Sequence, residues 1–254
     1  MKNKIRLDML VVDRGLAASR ERARALILAG QVRVNGLPVT KAGTDVPADA
    51  EVTIHGPDHQ YVSRGGVKLA HALDVFGIDV RERLGLDIGA STGGFTDVLL
   101  QRGARRVVAL DVGHGQLDWR LRTDGRVTVI ERVNARTLTA DQLPPDARVF
   151  TIVTIDVSFI SLRLVLPVVP PLLDAGGDVV VLVKPQFEAG RAEIGKGGIV
   201  RDDNVRQRVV LDVAQSALAL GLERIGTVES PIPGMEGNRE ILMHLKPAGG
   251  RARV

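Results

Sequence analysis

The chain has 254 residues, 44% of them hydrophobic and 25% charged, and no cysteine. These proportions describe a globular protein built as one large domain, or as a large domain with a small partner. They exclude a disordered tail, a disulfide framework, a thiolate metal site and a cysteine nucleophile.

Charge is unevenly placed. The formal net charge is +4, yet between residues 2 and 41 nine Lys or Arg stand against three acids, a local excess of +6. A basic head on a near-neutral body points to a polyanionic partner. Aromatic residues make up only 3%. Base stacking alone therefore cannot carry nucleic-acid binding here, and phosphate contacts and shape must.

In the head, Leu7, Leu10 and Val11 recur at helical spacing and Gly15 stops that helix. Ser19 is placed to cap a second helix over 20–29, with Ala23, Leu26 and Ile27 inward and Gly30 as its stop. Arg20 and Arg24 lie one turn apart on one face. Residues 32–34 alternate as a short strand and Asn35-Gly36 is a hairpin turn. Val39 and residues 52–54 supply further short strands. The runs Arg6-Leu7-Asp8-x-Leu10, Ala18-Ser19-Arg20-x-x-Ala23 and Ala29-Gly30-x-Val32-x-Val34-Asn35-Gly36 resemble the S-four RNA-binding domain over about the first 60 residues. The resemblance implies a domain over 1–59 whose two-helix face touches structured RNA. Arg6, Arg20, Arg24, Arg33 and Lys41 are its expected contacts.

Residues 56–60 read as a linker. From Tyr61 the rhythm changes. Apolar strand-like runs occupy 84–88, 107–111, 127–130, 149–156, 179–183, 224–228 and 240–245. Most are separated by stretches of helical pattern, such as 96–101 and 204–220. Alternation of this kind predicts an α/β, doubly wound, mostly parallel Rossmann-like sheet over 60–254, behind a small α+β N-terminal domain.

Asp87-Ile88-Gly89-Ala90-Ser91-Thr92-Gly93-Gly94-Phe95-Thr96 follows the first strand of that sheet and opens a helix. Glycines there let the backbone approach a ligand, and Asp111 at the end of the next strand can accept the hydroxyls of a nucleoside ribose. The order Gly-x-x-x-Gly-Gly is not the Gly-x-Gly-x-x-Gly of a nicotinamide site, which disfavours an oxidoreductase. Asp87 suits a ligand carrying an ammonium and a sulfonium, which S-adenosylmethionine has. The predicted cofactor set is Asp87, Gly89, Ser91–Thr96, Asp111, Val112 and Asn134.

Four polar residues stand at suggestive positions: Lys68 before the first strand, Asp156 and Lys184 at strand ends, and Glu240 opening the last strand. Asp156 and Lys184 are expected to meet at the carboxyl edge beside the cofactor. The motifs at 61–69, 87–97, 111–117, 156–162 and 184–190 resemble those of the hemolysin A (TlyA) family, whose catalytic domain is similar to FtsJ-type ribose 2'-O-methyltransferases. The resemblance spans nearly the whole chain. It implies a Lys–Asp–Lys–Glu tetrad that falls on Lys68, Asp156, Lys184 and Glu240. The Gly-Asn-x-Glu context selects Glu240 over nearby Glu236.

By the same resemblance the cofactor is S-adenosylmethionine, the substrate ribosomal RNA, and the target a cytidine 2'-hydroxyl. On this reading Lys184 is expected to accept the proton or stabilise the alkoxide, Asp156 to orient Lys184 and border the cofactor methionine, and Lys68 and Glu240 to complete the network around the ribose. Residues 186–202 read as a mobile loop over the site. Its Arg191, Lys196 and Arg201, together with Arg64, are within reach of RNA phosphate. No metal is expected, since the five histidines lack ligand spacing. A basic start without an apolar signal core predicts a cytoplasmic protein. Two alternatives stay open: a catalytically silent RNA-binding or ribosome-assembly factor, and a membrane-active cytolysin. The lack of an aromatic-rich cationic helix weighs against the second.

Overall fold

The computed structural model describes residues 4–17, 19–54, 60–234 and 237–249. Ala18, Glu236 and linker positions 56–59 lie outside the described residues. The chain folds as two compact units, Met1–Arg64 and Gly65–Val254.

The first unit contains β1 (Lys4–Arg6), α1 (Leu7–Asp13), α2 (Arg20–Leu28), β2 (Val32–Val34), β3 (Leu37–Pro38), β4 (Asp45–Pro47) and β5 (Val52–Ile54). Ser19 caps α2 by accepting from Arg22 N–H at 3.2 Å. Leu7, Leu10 and Val11 of α1 meet Ala23 and Ile27 of α2 in a core closed by Val32, Val46 and Val52. Asn35 (φ 49°) and Gly36 (φ 80°) both take left-handed conformations, which a two-residue hairpin turn requires. Val39, expected in a strand, lies one residue past β3, yet its N–H still reaches Val32 C=O at 3.0 Å. Strands β1 and β4 pair antiparallel and were not evident in the sequence pattern, because three-residue strands carry almost no periodic signal.

The second unit contains α3 (Arg64–Phe76, whose first residue closes the first unit), β6 (Leu84–Ile88), α4 (Gly94–Gln101), β7 (Arg106–Asp111), α5 (Trp119–Arg122), β8 (Val127–Glu131), β9 (Phe150–Ile155), β10 (Leu173–Val183), α6 (Pro185–Glu188), α7 (Asp203–Ala219), β11 (Leu222–Glu229) and β12 (Ile241–Pro247). The seven strands run in the order β11-β12-β10-β9-β6-β7-β8. Strands β8, β7, β6, β9 and β10 are mutually parallel, and β12 inserts antiparallel between β10 and β11. All five residues of β6 are buried, as expected for a central strand covered on both faces. Leu86, Ile88, Leu110, Val153, Ile155, Val181 and Met243 belong to one continuous core.

Chain order reverses between β6 and β9, so the loops leaving these two strands border the crevice where open α/β sheets bind ligands. The crossover between β9 and β10 is made of three single 3₁₀ turns, Leu162–Leu164, Leu166–Val168 and Pro170–Leu172. Pro167, Pro170 and Pro171 lack the N–H groups that an α-helical ladder would need there. The predicted loop 186–202 is also more structured than expected. It begins in α6, with Pro185 as first residue, and includes a 3₁₀ turn at Arg191–Glu193 and a bridge between Gly195 and Ile199. Among the described residues no helix is long and apolar enough to cross a membrane.

Candidate active site

The glycine loop is built against the neighbouring strand ends. Gly89 N–H donates to Leu110 C=O at 2.8 Å, and its φ is +83°. A Cβ on Gly89 would lie 2.4 Å from Asp156 C=O, so only glycine lets the loops after β6 and β9 touch here. Gly93 (φ +98°) caps α4, and Gly94, Phe95 and Thr96 are buried in its first turn. Ser91, itself left-handed at φ 48°, donates its N–H to Asp111 Oδ2 at 2.8 Å. Gly113 N–H donates to Asp111 Oδ1 at 2.6 Å.

A small depression lies beside this loop, lined among others by Ala90, Ser91, Asp111, Gly113, Gln116, Leu117 and Glu131. Of the predicted cofactor residues, Ser91 and Asp111 line it. Thr92 is exposed at the loop tip and receives Asp118 N–H on its carbonyl at 3.2 Å. Val112 is largely exposed. Asn134 is not among the lining residues; its side chain accepts Arg136 N–H at 3.0 Å and caps the 3₁₀ turn Ala135–Thr137.

The Asp87 side chain is fully buried, and its two oxygens accept Thr96 Oγ1–H at 2.6 Å and Thr154 Oγ1–H at 2.9 Å. These bonds tie the start of α4 to the sheet. Burial pushes its carboxyl up to about 6; the two threonine hydroxyls oppose that shift, and Asp156 adds to it.

Sequence analysis did not single out Glu131, which ends β8 one strand further along. Its carboxylate accepts Gly115 N–H at 2.8 Å, lies 2.6 Å from His114 Nδ1 and pairs with Arg122. The usable signal was its place after an apolar strand, parallel to that of Asp111.

The four chemical residues come together in two pairs. Asp156 follows β9 directly and Lys184 follows β10, so two adjacent parallel strands deliver them to one edge. Asp156 Oδ1 lies 2.6 Å from Lys184 Nζ. That contact is an ion pair without hydrogen-bond alignment: Nζ donates instead to Ser158 Oγ at 2.9 Å, and Asp156 Oδ1 is buried without a hydrogen-bond donor. Ser158 is a second residue that sequence analysis did not single out. Strand β12 runs antiparallel to β10 with Ile241 opposite Val183, which brings Glu240 to the same edge beside Lys184. Glu240 Oε2 accepts from Lys68 Nζ of α3 at 2.5 Å, and both side chains are nearly sealed from water. One residue after Ser158, Phe159, 91% exposed and left-handed at φ 64°, holds its ring 5.2 Å from that of Phe187.

In the first unit, Arg6 donates twice to Asp8, from Nε and Nη2, and Arg20 once, from Nε, each at 3.0 Å. Asp8 is fully buried, and these guanidinium groups hold its carboxyl down to about 2. The two arginines remain about half exposed. Arg24, Arg33 and Lys41 form no ion pair among the described residues. Arg64 is exposed at the start of α3, and Arg191, Lys196 and Arg201 are exposed in their segment.

Residues 61–247 match the family described as FtsJ-like methyltransferase, and residues 5–52 match the S4 domain. The 16S/23S rRNA (cytidine-2'-O)-methyltransferase TlyA of Mycobacterium tuberculosis is 48% identical over 253 residues, covering 99% of this chain and 93% of its own. YqxC of Bacillus subtilis is 49% identical over 242 residues, covering 95% of this chain and 85% of its own. A solved structure from Streptococcus thermophilus superposes with a TM-score of 0.76 at 44% identity, covering 98% of this chain and 90% of that one.

Proposed function

Since the chain belongs to the FtsJ-like methyltransferase family, we propose that it transfers the methyl group of S-adenosylmethionine to the 2'-hydroxyl of a cytidine in ribosomal RNA. Residues 1–59 serve RNA binding and residues 60–254 the transfer. The observation that carries the reading is the Lys184–Asp156 pair at the carboxyl edge beside the Gly89 turn, with Lys68–Glu240 next to it. The RNA substrate is supported by the S4 match and by the names of the relatives. A cytoplasmic location goes with that substrate.

The donor set of the depression fits the cofactor. Carboxylates at the ends of β7 and β8, Asp111 and Glu131, offer acceptors for sugar hydroxyls, and Leu117 with Val129 offers an apolar wall for a base. A side chain at position 89 would close the approach. Bound there, S-adenosylmethionine supplies a methyl group on a positive sulfur, already a good leaving group.

The protein's own work is alignment and charge control. Lys184 Nζ, steered by Asp156 and Ser158, is the group that takes the ribose proton or stabilises the oxygen losing it. Lys68 and Glu240 neutralise each other in a dry position and present a fixed dipole to the ribose. Phe159 offers an apolar face on which the target base can stack.

The test is incubation with methyl-labelled S-adenosylmethionine and separated small and large ribosomal subunits, followed by digestion to nucleosides. Label is expected in 2'-O-methylcytidine and is expected to vanish in Lys184→Ala while RNA binding persists. Label on a base would move the chemistry away from the four residues. No label on subunits, free rRNA or precursors would leave an RNA-binding factor as the reading.

A further inference from the structure

We propose that Glu188 is a positioning residue for methyl transfer: its carboxylate clamps the loop after β9 onto α6, and so holds Asp156 and Ser158 against Lys184. This inference rests on the function proposed above.

Residues 156–161 belong to no helix or strand; backbone bonds hold the segment at its ends, Asp156 N–H to Ile88 C=O at 2.9 Å and Leu164 N–H to Ser161 C=O at 3.1 Å, and side-chain bonds add to them. Glu188 supplies two of them. Its Oε1 accepts Leu162 N–H at 2.6 Å and its Oε2 accepts Ser161 Oγ–H at 2.6 Å, while Arg163 Nε stands 3.6 Å away. The carboxylate sits on the same short helix that starts directly after Lys184, four residues on. One end of α6 thus carries the reacting amine, and the other holds the loop bearing that amine's two partners. The Phe159–Phe187 ring contact lies between these two points and joins the same two segments.

A carboxylate in this place is costly. The side chain is 2% exposed, and burial pushes its carboxyl above the ordinary glutamate value despite the two donors and Arg163. A solvated loop would need no such anchor. The cost becomes intelligible if the position of the loop matters, because rate depends steeply on placing the reacting groups. Glu188 touches neither Lys184 nor Asp156 in the bonds it makes, so its effect passes through Ser161, Leu162 and the backbone between them.

Glu188→Ala and Glu188→Gln would be compared in the full chain with saturating ribosomal subunits and cofactor. Glutamine keeps one acceptor for Leu162 N–H and one group able to bond the Ser161 hydroxyl, so it preserves the clamp without the charge. Glu188→Ala is expected to lower kcat about tenfold or more, with KM for both substrates within about twofold of wild type. Glu188→Gln is expected to recover kcat to within about threefold of wild type. If Glu188→Ala is too unstable to assay, Ser161→Ala removes one bond and leaves the other. It is then expected to lower kcat about threefold at unchanged KM. Wild-type kcat in folded Glu188→Ala, or in Ser161→Ala where that variant stands in for it, would overturn the proposal. So would a rise in KM alone, or a Glu188→Gln as inactive as the alanine variant, which would assign the carboxylate a chemical role. An inactive wild type would count against the methyl-transfer reading and not against the clamp.

Discussion

Asp87 shows how a local pattern can place a residue without giving its partners. Its position before the glycine loop is a strand-end signal, but its carboxylate turns inward to Thr96 and Thr154. Nothing in the local spelling distinguishes an aspartate that meets a ligand from one that braces the loop. Burial carries a measurable consequence. The ordinary value of 3.8 rises to about 6 in the fold, so the folded chain keeps a proton in that window which the unfolded chain has released. The stabilising share of protonated Asp87 is complete below the unfolded value and is lost as pH rises through the folded one. At full effect the change is roughly 3 kcal/mol. In urea titrations across this window, Asp87→Asn is expected to remove that fall in unfolding free energy. An unchanged slope would mean that Asp87 does not titrate there. The residues around it divide in the same way. Gly89 is needed because Asp156 C=O occupies the space of its missing side chain, a fact of two loops 67 positions apart in sequence.

The segment between Lys184 and α7 carries the lesson for elements. Four glycines and no hydrophobic period predict a mobile loop, yet the fold pins it. Asn238, 1% exposed, accepts Val200 N–H at 3.0 Å through Oδ1 and donates through Nδ2 to Gly198 C=O at 2.9 Å. Those partners lie about 40 positions earlier in the chain, beyond the reach of any local pattern. Asn238→Ala leaves a buried N–H and a carbonyl without partners and is expected to cost about 1–3 kcal/mol for each group left unsatisfied. Denaturant unfolding would measure the loss, and limited proteolysis should cut first within 190–202. Cleavage elsewhere first would argue that Asn238 does not anchor this segment. The crossover after β9 teaches the converse. Its prolines are visible in the sequence, and they explain why the segment forms 3₁₀ turns and not an α-helix.

At the scale of the whole molecule, charge is divided between duties that composition cannot separate. Of the cations expected to touch RNA, Arg6 and Arg20 are already engaged with buried Asp8, whereas Arg24, Arg33 and Lys41 form no ion pair among the described residues. If the first unit holds RNA through phosphates, each of these three contributes to counterion release. Arg24→Ala, Arg33→Ala and Lys41→Ala are each expected to reduce the slope of log affinity against log salt by about 0.7–0.9 per lost phosphate contact. Binding of ribosomal RNA fragments across a salt series would show it; an unchanged slope would remove that residue from the interface.

Sequence alone determined the main strands of the large sheet and the two helices and hairpin of the first unit, because hydrophobic period, helix caps and turn residues act within a few positions of one another. Ser19, Asn35-Gly36 and the strand cores at 84–88 and 179–183 all behave in this local way. It also marked Asp156 and Lys184, since a strand end followed by a polar residue is a local feature, while the family resemblance added Lys68 and Glu240. Only the tertiary structure decided their pairing, Lys184 with Asp156 and Lys68 with Glu240. That pairing follows from strand order, in which β9 and β10 lie side by side and antiparallel β12 returns Glu240 to the same edge. The partners of Ser158, Glu131 and Glu188 were likewise decided there. A carboxylate or hydroxyl acquires its partners from chain that is distant in sequence, and the free energy of burying it depends on those partners.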